Sequence, residues 1–257
     1  MNKTAPLLAP LVIFAIGAFA APARADFQVR SPTVTYRELE FEHNGSITFD
    51  RKDSGLNHKQ SYTNSIGYGV TPWWKIELEG EWGADADQRT RYEATTIENV
   101  FQLTPQGKYW ADVGLFFEYS RSNRREAADA IEFGPIVQKE TDGFFNSNLL
   151  HTANLFIEKE VGHNHGEDTT FTYAWQSRLR LNQYFEPGVE VYGEIGKIDH
   201  PGKPTEQEHR FGPMFAGVHY LSRGWGKVKY ELGYLFALTP ATENNAIRWK
   251  LEYEIAF

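Results

Sequence analysis

The last eleven residues of the chain, 247–257, alternate strictly between large apolar side chains and polar or small ones. In a β-strand, successive side chains point to opposite faces of the sheet. One face of this segment is apolar and carries Ile247, Trp249, Leu251, Tyr253, Ile255 and Phe257. The opposite face carries Arg248, Lys250, Glu252 and Glu254. The pattern predicts a terminal strand that lies between an apolar and a polar environment.

This strand ends on an aromatic residue, Phe257, although chain termini usually fray in water. A terminal Phe, apolar residues at alternate positions before it and an aromatic residue four positions back (Tyr253) resemble the assembly signal of Gram-negative outer-membrane β-barrel proteins. The residues of this signal are Trp249, Leu251, Tyr253, Ile255 and Phe257. The resemblance implies that outer-membrane lipids surround the protein and that the barrel-assembly machinery binds its last strand. It indicates a fold and a location, and it does not specify a particular family.

The N-terminal residues predict that the chain is exported. Lys3 precedes an apolar stretch over 7–21, and Ala23–Ala25 has the small-residue pattern of a cleavage site. An uncleaved membrane anchor is the alternative, because the apolar stretch approaches spanning length. We expect residues 1–25 to be a cleaved signal peptide and residues 26–257 to form one outer-membrane β-barrel. Cleavage would remove two basic residues and take the formal net charge from -8 to -10.

The composition is compatible with a barrel and excludes several other classes. Aromatic residues are abundant, with 18 Phe, 13 Tyr and 7 Trp, while the mean hydropathy is only -0.51. A barrel averages an apolar outer face with a polar inner face, so a low mean is expected. The absence of Cys excludes disulfides and thiol chemistry. The acidic net charge argues against nucleic acid as a partner, and without a phosphate loop or dinucleotide fingerprint we expect no cofactor.

Twelve alternating segments, separated by turn residues, follow one another along the chain. The predicted strands cover 35–49, 60–70, 73–82, 92–103, 108–120, 130–138, 147–161, 169–181, 189–196, 209–220, 227–238 and 247–257. Tight turns alternate with longer polar loops, as they do at the periplasmic and extracellular ends of barrels. The predicted fold class is therefore all-β: a transmembrane antiparallel up-and-down β-barrel of twelve strands. A soluble sandwich or lectin-like domain is the alternative, but it does not explain the alternating loops.

The face of each strand opposite the apolar one is predicted to line the lumen. For the tenth strand, whose register is ambiguous like that of the fourth, we place Met214, Ala216 and Val218 on the lipid side. This choice puts Phe211 and Phe215 inside. The inner aromatic residues are then Phe116, Phe156, Phe211 and Phe215, and they are candidates to obstruct the lumen.

The predicted inner face carries more acidic than basic side chains. Its main charged residues are Glu38, Glu40, Glu77, Glu79, Glu81, Glu190, Glu194, Arg178, Arg180, Arg248 and Lys250. We expect Arg248 and Lys250 to adjoin the first strand, and the glutamates of the third strand to have fewer partners. Barrels of about 8 strands are filled and those of about 16–18 strands are open, so twelve strands allow a narrow pore. An acidic wall in a low-dielectric surround attracts cations. We therefore expect a narrow diffusion channel or passive transporter for small, cationic solutes, with an unselective polar lumen as the alternative.

One loop resembles a metal site in its residue types. It contains His163, His165, Glu167 and Asp168, and imidazole and carboxylate ligands suit Zn²⁺ or Cu²⁺. A hydrophilic surface loop is the simpler interpretation, because His-x-His without Cys is a weak signal.

Two further functional classes remain open. An outer-membrane lipid-modifying hydrolase needs a nucleophile beside a base, and Ser177 and His151 share the lipid-facing parity of neighbouring strands. The sequence contains no G-x-S-x-G motif, and we assign no catalytic residue. A structural barrel with a non-conducting lumen is the third class.

Overall fold

The alternating segments of the sequence form twelve antiparallel strands that close into one barrel. The computed structural model describes residues 27–51, 54, 57–86, 88–163, 165–166 and 169–257. The strands are β1 (Glu38–Phe49), β2 (Gln60–Thr71), β3 (Trp74–Ala84), β4 (Arg91–Gln102), β5 (Asp112–Ser122), β6 (Asp129–Asp142), β7 (Asn148–Val161), β8 (Thr169–Leu179), β9 (Glu186–Lys197), β10 (Glu208–Tyr220), β11 (Lys227–Ala237) and β12 (Asn245–Ala256). The predicted fold class and the predicted number of strands are confirmed. The predicted signal peptide, 1–25, lies outside the described residues.

Each strand pairs with its neighbours in sequence, and β1 pairs with β12 to close the barrel. The end of the barrel at which β12 finishes is called the C-terminal rim below. It carries the connections 72–73, 103–111, 143–147, 180–185 and 221–226. The opposite end, called the loop rim, carries the other connections. In the described part of the chain, helical structure is limited to two 3₁₀ turns, Pro204–Glu206 and Ser222–Gly224. No helix there is long and apolar enough to cross a membrane.

The outer surface of the barrel is apolar, and the inner surface is charged. In β5, for example, Leu115 and Phe117 are each 40% exposed, whereas Phe116 between them is fully buried. Large apolar side chains are exposed on most strands, among them Phe41, Ile66, Leu78, Ile97, Phe133, Leu155, Phe211, Leu232, Phe236 and Leu251. A closed barrel satisfies every strand's backbone hydrogen bonds, and an apolar outer band suits hydrocarbon rather than water. The fold is therefore that of a transmembrane β-barrel.

In strand β10 the inward and outward faces are the reverse of those predicted from the sequence. Met214 and Ala216 face the interior, where they are almost completely buried, and Phe211 is 39% exposed on the outside. Phe215 shares the outward parity of Phe211. The physical reason is Arg210, which is buried and bonds to Glu243 inside the barrel. Because a guanidinium is costly in hydrocarbon, this residue fixes the parity of the whole strand.

The chain before β1 does not join the barrel wall. Residues 27–36, called the lumen segment below, run through the interior and reach the C-terminal rim at Arg37. There the backbone reverses with a φ of 62° at Arg37, whose N–H bonds to Gly69 O at 2.8 Å and whose carbonyl accepts from Phe257 N–H at 3.1 Å. The predicted first strand began at residue 35, and no structure was predicted for 27–34. This internal segment is the main feature that the prediction from sequence missed.

Candidate functional site

The barrel interior is the candidate site, and the lumen segment is its central element. At its start, the Phe27 ring packs against Tyr192 of β9 at 5.4 Å between centroids, and the Arg210 guanidinium lies 5.1 Å from the Phe27 centroid. The Tyr192 hydroxyl donates to the Phe27 carbonyl at 3.1 Å. Phe27 and Val29 also pack against the inner cluster Ala174, Tyr192, Leu235 and Ala246. The first part of the segment is therefore fixed against β8, β9, β11 and β12.

Arg30 fixes the middle of the segment to the opposite wall. Its guanidinium forms a two-pronged pair with Glu98 of β4, with Nε donating to Oε2 at 3.1 Å and Nη2 donating to Oε1. Glu118 Oε2 of β5 lies 3.7 Å from Nη2, and the Phe116 ring lies 4.4 Å beneath the guanidinium carbon. The Arg30 main chain is held as well. Its N–H donates to Asn154 Oδ1 at 2.7 Å, and its carbonyl accepts from Asn154 Nδ2 at 2.9 Å.

The last part of the segment packs into an apolar cluster. Val34 joins Val100, Phe116, Ile136 and Phe156, which are the inner residues of β4 to β7. Two of the four predicted inner aromatic residues, Phe116 and Phe156, thus face inward and stack at 4.7 Å. They support the segment instead of obstructing the lumen directly. An apolar cluster inside a polar barrel provides a specific binding site for the segment, because burial of the Val34 side chain is favourable there and would not occur against a solvated polar wall.

Two glycines give the segment room to approach the wall. A Cβ at Gly69 of β2 would overlap the Thr35 carbonyl, and one at Gly114 of β5 would lie 2.9 Å from Pro32 Cβ. Both positions face inward, so a larger side chain at either would displace the segment. The close packing of the segment on the wall therefore depends on residues of the strands as well as on residues of the segment.

Two cavities lined by described residues of the barrel interior border the segment. The larger, of about 540 Å³, extends toward the C-terminal rim and is lined by charged residues of β1, β3, β8, β11 and β12. The smaller, of about 120 Å³, lies toward the loop rim and is lined by Phe27, Glu194, Glu208 and Arg210. Gln28 and Arg30 line both cavities. Residues 28–30 therefore form the partition between them.

The predicted acids of β1 lie in the larger cavity, and each is close to a lysine. Glu38 lies 3.2 Å from Lys227, and Glu40 lies 2.6 Å from Lys75. Lys250, which was expected to adjoin the first strand, bonds to Glu42. The three lysines, from β3, β11 and β12, thus compensate much of the acidic charge on β1.

Arg248 was also expected to adjoin the first strand, and its backbone does pair in register with Ser46 of β1, but its guanidinium does not bond to an acid of that strand. Its guanidinium bonds to Glu190 of β9, with Nε to Oε1 at 2.9 Å, and to Glu231 of β11 at 2.7 Å. Arg248 and Glu190 are both almost completely buried. The guanidinium reaches across β11 instead of toward β1, because Gly233 between Arg248 and Glu190 has no side chain to block the contact.

The other two arginines predicted to line the lumen, Arg178 and Arg180, lie near the C-terminal rim. Arg180 Nε donates to Glu186 at 2.9 Å, and Arg178 lies 3.6 Å from both Glu186 and Glu231. Glu186 was not anticipated, because the predicted ninth strand began at residue 189 whereas β9 begins at Glu186. The arginines therefore pair with β9 and β11.

The glutamates of β3 were expected to have fewer partners than the other inner acids, and in the structure hydroxyl groups supply much of their hydrogen bonding. Glu77 accepts from Ser65 and lies 3.3 Å from Lys75. Glu81 accepts from Thr96 and from Ser120 Oγ, the latter at 3.2 Å. Glu79 is buried and also takes part in a polar contact. Since the hydroxyl partners come from β2, β4 and β5, the spacing of residues along β3 alone could not reveal them.

Two groups of residues have the side-chain types of a metal site. In the predicted loop, His165 Nδ1 lies 2.6 Å from the Gly162 carbonyl, while Glu167 and Asp168 lie outside the described residues. Within the barrel, oxygen atoms of Glu38, Glu40 and Glu254 come within 4.8 Å of one another. Lysine amino groups already lie against these three carboxylates. The cluster is thus neutralised by the chain itself.

Ser177 and His151 do meet on the outer face of the barrel. Ser177 Oγ lies 2.9 Å from His151 Nδ1, and His151 Nε2 lies 3.1 Å from Thr141 Oγ1. Ser177 is only 7% exposed, and the Trp175 ring is stacked on the imidazole. Such a covered hydroxyl is poorly placed to attack an ester carbonyl. The chain of bonds satisfies polar groups that would otherwise face hydrocarbon unpaired.

No family model and no curated protein matches the sequence. Among solved structures, the chain is similar to the Acinetobacter baumannii outer membrane protein Omp33, with 7% identity over 86% of this chain and 98% of that chain and a TM-score of 0.44. It is similar to the transport unit of the Escherichia coli autotransporter AIDA-I, with 9% identity over 90% and 93% and a TM-score of 0.47. It is also similar to a bacterial polysaccharide outer membrane secretin, with 8% identity over 87% and 99% and a TM-score of 0.41.

Proposed function

We propose that the protein is a narrow, cation-preferring diffusion channel of the bacterial outer membrane, and that its lumen segment is an internal plug. The observation that carries this proposal is the position of residues 28–30 between two cavities of the interior, the larger of which is lined mainly by charged side chains. A barrel that only served as a scaffold could fill its interior with side chains from its own wall. Here an extended chain fills it instead, and such a chain can leave through the C-terminal rim without unfolding the wall.

The location follows from the exterior. An apolar band on a closed barrel needs a lipid environment, and single-chain bacterial barrels with even numbers of strands lie in the outer membrane. The C-terminal pattern follows the outward face of β12 and ends on Phe257 just after the strand, and both Leu251 and Phe257 are highly exposed. This exposure would leave them available to the barrel-assembly machinery before closure of the barrel.

Cation preference follows from the charge that the plug covers. With the segment in place, Arg30 compensates Glu98 and Glu118. When the segment leaves, its positive charge leaves too, while both carboxylates stay on the wall. Charges in a water-filled path with low-dielectric walls act strongly on passing ions. The open channel would therefore be more cation-selective than its lining residues indicate in the plugged state.

The test is single-channel recording in a planar bilayer under a KCl gradient. We expect rare openings of the wild-type protein, with a cation-selective reversal potential. Replacing Glu77, Glu79 and Glu81 together by Gln should reduce the preference for K⁺. An unchanged reversal potential would remove these residues from the selectivity mechanism.

A variant whose plug is detached distinguishes a channel from a non-conducting structural barrel. The double variant Arg30→Ala/Asn154→Ala removes the guanidinium and the main-chain clamp but leaves the strand pairing intact. We expect frequent openings of this variant and wild-type behaviour of Arg91→Ala, a control whose guanidinium pairs with Asp85 on the exposed loop rim. Silent bilayers from folded protein of both variants would favour the non-conducting structural barrel.

A further inference from the structure

The site that holds Arg30 has the features of a ligand-binding site filled by the protein's own chain. Glu98, Glu118 and Phe116 surround the guanidinium, and all three are nearly or fully buried. The two-pronged contact with Glu98 matches the planar fork of a guanidinium, and the guanidinium carbon lies over the Phe116 ring at 4.4 Å from its centroid. A lysine-type ammonium cannot form this pair of parallel bonds or stack in this way. The pocket is therefore chemically selective among cations.

The clamp on the main chain adds a second recognition element. Asn154, which is fully buried, accepts from the Arg30 N–H and donates to the Arg30 carbonyl. A free α-amino acid presents the same two functions, since its ammonium is a donor and its carboxylate an acceptor. The site thus offers Glu98 and Glu118 to the guanidinium of L-arginine, and one acceptor and one donor of Asn154 to its α-ammonium and α-carboxylate.

The site also lies on the route that a solute would take. Glu98 lines the larger cavity, which extends toward the C-terminal rim, and Arg30 lines both cavities. A solute that enters the larger cavity therefore reaches Glu98 next to the partition. A solute and the Arg30 side chain cannot occupy the site at the same time.

We infer that the Arg30 site is the solute site of the channel, that it takes small guanidinium compounds with an α-amino acid group such as L-arginine, and that these compete with the lumen segment for it. The inference rests on the proposed channel function. A ligand that binds only when the segment has left shifts the population toward the unplugged state. Arginine would in this way open the path that it uses.

The first experiment tests the chemistry of the site without requiring conduction. Arg30→Ala leaves the space of the guanidinium empty beside two buried carboxylates, so the thermal midpoint of the folded barrel in detergent should fall. Guanidinium chloride at low millimolar concentration should restore part of this loss, whereas equal concentrations of NaCl or urea should not. Arg30→Ala/Glu98→Gln should lose the rescue, with at least about tenfold weaker guanidinium binding. Arg91→Ala should show no rescue.

The second experiment tests competition in the wild-type protein. L-Arginine added on the side of the C-terminal rim should raise the frequency of single-channel openings, and its neutral isostere L-citrulline should not. Glu98→Gln should remove the response to arginine.

If the wild-type channel conducts but arginine and citrulline act alike, the solute-site inference is wrong and the channel proposal stands. If neither the wild type nor the detached-plug variant conducts, the channel proposal fails, and the guanidinium rescue alone decides whether the site binds this ligand class. Equal effects of guanidinium and NaCl on Arg30→Ala would overturn the site itself.

Discussion

Asn154→Ala tests how firmly the lumen segment is held. Asn154 makes two hydrogen bonds to the segment, at 2.7 Å and 2.9 Å, and both involve the Arg30 main chain. A net contribution of about 1 kcal/mol for each bond gives roughly 2 kcal/mol for the clamp, or about a 30-fold change in the plugging equilibrium. The backbone groups of residue 154 stay in the sheet, paired in register with Ile136 and Ala174. The substitution should therefore release the segment without opening the barrel wall.

The assay uses the absence of Cys from the sequence. A single cysteine at Gln28, a buried residue of the partition, should react slowly with a water-soluble thiol reagent in the plugged state. Adding Asn154→Ala should accelerate this reaction roughly 30-fold if the cysteine reacts only after the segment has left. The matched control is Thr152→Ala, because Thr152 lies on the same inward face of β7 and the substitution removes its bond to Gln138 at 3.1 Å, while the longer bond from Ser31 of the segment to Gln138 at 3.5 Å stays. Equal rates in the three proteins would refute the claim that Asn154 holds a removable segment.

Other substitutions test other parts of the account. Gly114→Leu places a side chain where Pro32 lies and should raise the opening frequency, whereas a wild-type frequency would show that the segment tolerates the intrusion. Arg248→Ala leaves Glu190 buried without its guanidinium and should cost about 3–5 kcal/mol of barrel stability by denaturant titration, against less than about 0.5 kcal/mol for the exposed Arg91→Ala. Ser177→Ala should cost roughly 1 kcal/mol through the lost bond to His151, and phospholipid hydrolysis that disappears in this variant would revive the hydrolase alternative. Zn²⁺ titration calorimetry of His163→Ala/His165→Ala should give the same heats as the wild type, and a lost binding isotherm would establish the loop as a metal site.

The wall of the barrel was predictable because its signal is local. Period-two alternation, as in Leu115 and Phe117 against Phe116, locates a strand and its outward face from a few neighbouring residues. This signal failed in β10, where both faces carry apolar residues and one charged residue, Arg210, decides the parity. It also failed at the start of β5, where residues 108–111 continue the alternation but belong to the connection that follows the turn at Gly107, whose φ is 67°.

The interior was less predictable because its contacts join distant parts of the chain. Arg30 meets Glu98 and Asn154, which are 68 and 124 residues away in sequence. The lumen segment alternates only briefly, at Phe27 and Val29, before Pro32 ends the pattern, so it gives no strand signal. Pairing across a closed barrel also depends on gaps such as Gly233, which lets Arg248 reach Glu190. Such gaps become meaningful only once the register of neighbouring strands is known.

The most direct test of the central claim is a comparison of solute flux with the segment held and released. Liposome swelling in arabinose would be measured for the wild type, for Arg30→Ala/Asn154→Ala and for the Thr152→Ala control, with equal amounts of folded barrel in each preparation. If the lumen segment is the plug, the double variant swells several times faster than the other two proteins. Identical swelling rates in all three would contradict the account and leave the segment as a fixed part of the barrel core.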